Sequence, residues 1–157
     1  MKTLTLLRHA KSERDSTDGD FERSLNKRGR TDADRMGQEI RHLGLHFDLV
    51  LASPARRVVE TVEGVGRLAP QFDERIYNAS VGQLLDIVRS TDDKIGGLML
   101  VGHNPGFERL AARLTDNKVE DFPTAALVEI ELPIEHWRDV ADRSGRLIRF
   151  VKPKDLD

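Results

Sequence analysis

Two histidines in this sequence stand where phosphorus chemistry could be done. Arg8-His9-Ala10 closes the apolar run Thr3-Leu4-Thr5-Leu6-Leu7, which sets an imidazole beside a guanidinium at the point where a strand stops. Gly102-His103-Asn104 closes a second run, Leu98-Met99-Leu100-Val101, and Ser53-Pro54-Ala55-Arg56-Arg57 follows a third, Leu49-Val50-Leu51-Ala52. An imidazole that attacks phosphorus must be unprotonated at the attacking nitrogen. A neighbouring Arg8 or Arg57 charge disfavours imidazolium, so the pKa of His9 is expected below its usual value of about 6.5. A phosphoryl group in transfer spreads charge over its equatorial oxygens, and arginines with a second imidazole around that plane would stabilise it. Such chemistry needs no metal, and neither a metal nor another cofactor is expected.

The elements that must position these groups can be read from the hydrophobic pattern. Asn26 caps a predicted helix with Ala33, Met36, Ile40 and Leu43 on one face and Gly44 as its stop. Ser53-Pro54 predicts a cap followed by proline at the first helical position, with Val58, Val62, Val65 and Ala69 facing inward. Ser80 and Gln83 form a capping box ahead of Leu84, Leu85 and Val88, and Asn104-Pro105 repeats the cap-and-proline pattern before Phe107, Leu110, Ala111 and Leu114. Leu127 to Leu132 alternates, and Leu147 to Val151 offers a last strand. Strands taking turns with amphipathic helices predict a three-layer α/β/α sandwich, its central sheet mostly parallel and its last two strands an antiparallel edge. Ligands of such sheets collect beyond the carboxyl ends of the strands, where Arg8, His9, Arg57 and His103 would converge with two helix starts.

The 157 residues suit one domain spanning 1–157, and a hydrophobic content of 38% is ordinary for a water-soluble chain. Lys and Arg number 25 against 27 Asp and Glu, so the net charge of −2 argues against a nucleic-acid binder, and any attraction for phosphate must be local. The absence of cysteine excludes disulfides and thiolate catalysis. The first apolar run is too short for a signal-peptide core or a membrane span, so a cytoplasmic location without membrane association is expected. Ser12 to Ser24, rich in Asp, Glu, Ser, Thr and Gly, is the segment expected to be mobile, and Lys152-Pro153-Lys154-Asp155 is expected to fray. Lys11, Arg14, Arg28 and Arg30 form a basic cluster read as a solvated face, and His42, His46 and His136 have no ligand-like spacing.

Leu7-Arg8-His9-Ala10-Lys11-Ser12, Ser53 to Thr61 and Val101-Gly102-His103-Asn104-Pro105-Gly106 resemble the motifs of the histidine phosphatase (phosphoglycerate-mutase-like) superfamily, in the same order. Within it the short chain is most similar to the SixA-type phosphohistidine phosphatases. The resemblance extends through Arg23 to Arg30 and through Phe122-Pro123-Thr124-Ala125-Ala126. It implies that His9 accepts the phosphoryl group, that Arg8, Arg57 and His103 line the phosphate pocket, and that Asn104 adds a substrate contact. The family pattern Ser-Pro-x-x-Arg selects Arg57 over Arg56, and adjacent helical residues diverge, so only one can enter the crevice.

The sequence departs from the mutase pattern where Asp15 replaces a phosphate-contacting asparagine. It departs again at Glu74 to Ser80, where a general acid would be drawn, and Glu74 is the candidate there. Expelling an alkoxide demands a proton donor, since water-like leaving groups have pKa values near 15.7, whereas imidazole, at about 6.5, leaves readily. A weak acid site therefore favours a phosphoramidate, and the resemblance points to phosphohistidine on a protein such as a phosphotransfer domain. Two other readings use the same residues: a phosphomonoesterase for small phosphorylated metabolites, and a non-catalytic phosphate-binding interaction module.

Overall fold

In the computed structural model, which describes residues 1–156, four helices cover the two faces of one sheet. Asp157, the last residue of the expected domain, lies outside the described residues. The strands are β1 (Lys2–Arg8), β2 (Leu49–Ala52), β3 (Gln71–Phe72), β4 (Gly97–Gly102), β5 (Leu127–Leu132) and β6 (Arg146–Val151). The helices are α1 (Lys27–His42), α2 (Arg56–Val65), α3 (Val81–Arg89) and α4 (Gly106–Leu114). Strand order is β3-β2-β4-β1-β5-β6. The first four strands of that order run parallel, while β5 and β6 run antiparallel and form the expected edge.

Successive residues of a strand face opposite layers, and β1 shows how the core is divided. Leu4 and Leu6 pack with α3 and α4 through Leu84, Val88, Phe107 and Leu110. Leu7 faces the other way, against Ala33, Met36 and Ile40 of α1 and Val58, Val62 and Val65 of α2. These apolar side chains are almost completely removed from water, each worth roughly 1.5–3 kcal/mol if aliphatic or aromatic. Both faces of β1 and β4 are buried, which is why they read as continuous apolar runs.

Local chemistry sets the helix ends. Asn26 accepts a hydrogen bond from Gly29 N at 2.8 Å, and Ser80 and Gln83 form the reciprocal capping box. The two proline starts differ from expectation. The α2 helix begins at Arg56 with Ala55 as its cap, and α4 begins at Gly106 after a cis Asn104-Pro105 bond. Proline therefore stands outside each helix; Asn104 still receives a first-turn N–H of α4, from Glu108, while Ser53 bonds no N–H of α2. The α2 helix also ends at Val65, leaving Ala69 beyond it with φ of 49°.

Neither expected loose segment hangs free. Ser12 bridges to Leu25, and Asp20–Glu22 forms a 3₁₀ turn. The C-terminal residues Pro153–Leu156 form another such turn, with Pro153 buried. The strand β3 went unanticipated, because its two residues are exposed and carry no apolar pattern. No helix among the described residues is long and apolar enough to cross a membrane.

Glycine is required where β4 delivers His103. A Cβ on Gly102 would lie 2.7 Å from Phe107 and 2.8 Å from Ile76, both buried. Gly102→Ala should therefore destabilise the fold by about 1–3 kcal/mol through overpacking. Urea denaturation should show this as a lower midpoint, and a stability equal to that of the parent would contradict the packing described.

Candidate active site

The parallel pairing of β1 with β4 places Arg8 opposite Gly102, and the next residue continues the ladder, His9 N donating to Gly102 O at 3.0 Å. Two neighbouring strands thus release His9 and His103 at the same height. Their rings stand 5.5 Å apart between centroids, tilted by 58°. The turn after His9 is fixed from two sides: Ala10 N donates to Thr61 Oγ1 at 2.9 Å, and Ala125 N donates to His9 O at 3.0 Å. Thr61 Oγ1 in turn donates to Arg57 O at 2.7 Å, so one turn of α2 holds both the loop after His9 and the arginine.

Only 7% of His9 is exposed, and its Nδ1 lies 2.7 Å from Ala10 O. A carbonyl can only accept, so Nδ1 carries the proton and Nε2 keeps a bare lone pair. Burial, more than its cationic neighbours, pushes the His9 pKa down to about 3, with His103, Arg57 and Arg8 adding to the shift. The expected direction is present, but its principal cause is loss of water rather than the arginines.

His103 is fixed in the complementary tautomer. Arg57 Nη2 donates to its Nδ1 at 3.3 Å, which leaves the ring proton on Nε2 to be donated to Ser53 Oγ at 2.8 Å. Burial and then Arg57 lower the His103 pKa to about 4, so both rings are neutral at neutral pH. Arg57 is 4% exposed, whereas Arg56 points outward to Glu60 at 3.3 Å. Arg57 is the member of the pair that enters the site.

Arg8 donates to Phe122 O at 3.1 Å through Nη1. Its Nε, like that of Arg57, is buried without a hydrogen-bond partner. The charges of both guanidinium groups act on His9, and an unpartnered buried donor is costly unless a ligand satisfies it. The Asn104 amide is engaged by the protein itself: Nδ2 donates to Phe122 O at 2.9 Å, and Oδ1 accepts from Glu108 N at 3.2 Å. Asn104 nonetheless borders a cavity of about 220 Å³ shared with His103, Ser80 and Arg109.

The structure adds residues that the sequence reading missed. Asp20 reaches Arg57 twice, its backbone oxygen accepting from Nη1 at 2.8 Å and its carboxylate from Nη2 at 3.2 Å. Tyr77 donates its hydroxyl to the same carboxylate at 2.7 Å and meets His103 edge-on at 5.6 Å. These bonds, led by that from Tyr77, lower the Asp20 pKa to about 2. No local motif marks Asp20, because its partners lie 37 and 57 residues away. Asp15, by contrast, is exposed, and so is Glu74.

A family model matches residues 4–153 and describes branch 1 of the histidine phosphatase superfamily. The chain belongs to that superfamily. A Mycobacterium tuberculosis protein, Rv1276c, is 32% identical over 159 residues, covering 94% of this chain and all of the relative. Among solved structures, the Agrobacterium tumefaciens protein assigned as the phosphohistidine phosphatase SixA is 26% identical, with a TM-score of 0.83 over 97% of this chain and 98% of the other. Its counterpart from Nakamurella multipartitia superposes with a TM-score of 0.86 at 22% identity, covering 97% of this chain and 96% of that one. As a histidine phosphatase superfamily member, the chain has the mostly parallel sheet with an antiparallel edge that its pattern implied.

The buried neutral imidazoles set a pH signature. The unfolded histidine value of about 6.5 exceeds both folded values, so the native state takes up fewer protons and stability is lost as pH falls from about 6.5 toward 4. Ring resonances of His9 and His103 should accordingly keep their neutral shifts between pH 7 and pH 5. An NMR titration midpoint near 6.5 for His9 would contradict the buried, unprotonated state.

Proposed function

We propose that this protein is a metal-independent phosphatase that works through a phosphohistidine intermediate on His9, and that its substrate is phosphohistidine on a protein partner. The observation that carries the first part is the bare Nε2 of His9, left free because Nδ1 is bonded to Ala10 O, in the field of Arg57 and Arg8. In the first step the His9 Nε2 lone pair forms a bond to phosphorus as the bond to the leaving nitrogen breaks. The substrate ring, already protonated on its other nitrogen, takes the electron pair of the P–N bond and departs as neutral imidazole. In the second step water attacks phosphorus, the P–Nε2 bond breaks, inorganic phosphate leaves and the neutral His9 ring returns. Arg8, Arg57 and neutral His103 surround the oxygens on which charge accumulates.

The substrate reading rests on the proton inventory. Asp20 is held ionised, with a pKa of about 2, and Tyr77 spends its hydroxyl proton on Asp20. Neither is a ready acid at neutral pH. A site that lacks a proton donor suits a leaving group near pKa 6.5 far better than an alkoxide near 15.7. The likeness to the Agrobacterium tumefaciens protein assigned as a phosphohistidine phosphatase supports the same choice.

Phosphate released from a phosphotransfer domain carrying phosphohistidine, measured beside a panel of phosphorylated metabolites, tests this reading. Turnover of the phosphoprotein should exceed that of alkyl phosphates, and the reverse order would overturn the substrate assignment. His9→Ala should abolish transient phosphoryl labelling of the enzyme. Arg57→Ala should lower kcat by about 10²-fold or more, the usual cost of one lost oxyanion donor, while Arg56→Ala leaves it nearly intact. Equal losses at both arginines would refute the assignment of Arg57.

A further inference from the structure

The rim that carries His9 also carries a cavity outside the catalytic cluster. It measures about 390 Å³, and Lys11, Arg28, Lys152 and Lys154 line it. Asp32 is the one carboxylate among the described lining residues, and Arg28 already neutralises it at 3.2 Å. Lys11 and Lys154 are exposed and have no ion pair among the described residues. In a chain of net charge −2, this is a concentrated positive surface. Of the basic cluster read as a solvated face, Lys11 and Arg28 join it, and the other two cations are Lys152, just past β6, and Lys154 in the C-terminal turn.

The sheet register fixes where the cavity stands relative to the nucleophile. Leu7 pairs with Leu127, and Leu127 pairs with Val151, so Lys152 leaves the sheet on the same rim as His9, two strands away. At about 4.8 Å per strand, that separation is on the order of 10 Å. A ligand that offers its phosphoryl group to His9 and an anion to this cavity must span that gap, as the surface of a protein substrate does. The cations stand on flexible stems around Pro153 rather than converging as buried donors, which suits carboxylates on a protein surface better than a single caged phosphate.

We propose that this cavity docks an acidic segment of the phosphorylated protein substrate while its phosphohistidine enters the catalytic site. The proposal rests on the protein-substrate reading above. Opposite charge across such a rim raises encounter rate and fixes orientation, and like charge there rejects the partner.

Steady-state kinetics of wild type and of Lys11→Glu/Lys154→Glu, with a phosphohistidine-bearing phosphotransfer domain and with the free phosphohistidine amino acid, test it. The double variant should raise KM for the phosphoprotein by about tenfold with kcat preserved, and leave turnover of the free amino acid unchanged. The wild-type KM for the phosphoprotein should also climb with sodium chloride, and the variant should respond less. An unchanged KM for the phosphoprotein, or an equal loss on both substrates, would overturn the docking site. Tighter binding of inorganic phosphate by wild type than by the variant, with phosphoprotein kinetics unaltered, would make it a small-anion site instead and also overturn the proposal. If wild type turns over no phosphohistidine protein, the functional reading itself fails. That outcome is distinct from the others.

Discussion

A single backbone register governs the chemistry of this molecule. Because β1 pairs in parallel with β4, Arg8 lies opposite Gly102 and His9 N reaches Gly102 O at 3.0 Å. Side chains leaving two parallel strands at equal height can share a pocket, whereas an offset of one residue would turn one of them into the opposite helical layer. Phe107 and Ile76 leave no room for a Cβ at the position paired with Arg8, so packing requires glycine there. Catalytic geometry and core packing are therefore one constraint, enforced by hydrogen bonds that no active-site side chain makes.

Removal of water then does what arginines alone would do less completely. His9 and His103 are each 7% exposed, and burial is the first cause of their lowered pKa values. Partners fix both tautomers: Ala10 O on Nδ1 of His9, which leaves Nε2 bare, and Arg57 and Ser53 on the two nitrogens of His103. Both rings therefore stay neutral and keep one tautomer at neutral pH. Arg57 links the two sides of this arrangement, since it donates to His103 while Asp20 holds its outer edge.

Much of this was legible in the chain before folding. Continuous runs such as Leu98 to Val101 announced strands buried on both faces, and the helical spacing of Ala33, Met36 and Ile40 announced α1. The ends of those runs carried His9, Arg57 and His103, which the structure gathers. What escaped has a common physical cause. Asp20 and Tyr77, and the partners of the motif residues Thr61 and Ser53, depend on contacts spanning 37 to 57 residues, and such pairings leave no periodic trace in the sequence. The two proline starts misled for a different reason. Proline fixes its own φ but does not say whether the helix begins at once, and here Ser53 serves His103 before α2 begins.

The antiparallel return of β5 and β6 has a practical meaning for anyone handling the molecule. Met1 and Lys2 stand at the rim where Thr3 pairs with Gly97, while Val151 stands level with Leu7 at the other. Leu156 lies beside Arg35 to His42, past the N-terminal half of α1, and a peptide fused ahead of Met1 would trail from the pole opposite the reaction centre. Purification handles, fluorophores and tethers placed at the front of the chain thus leave the approach of a large substrate unobstructed.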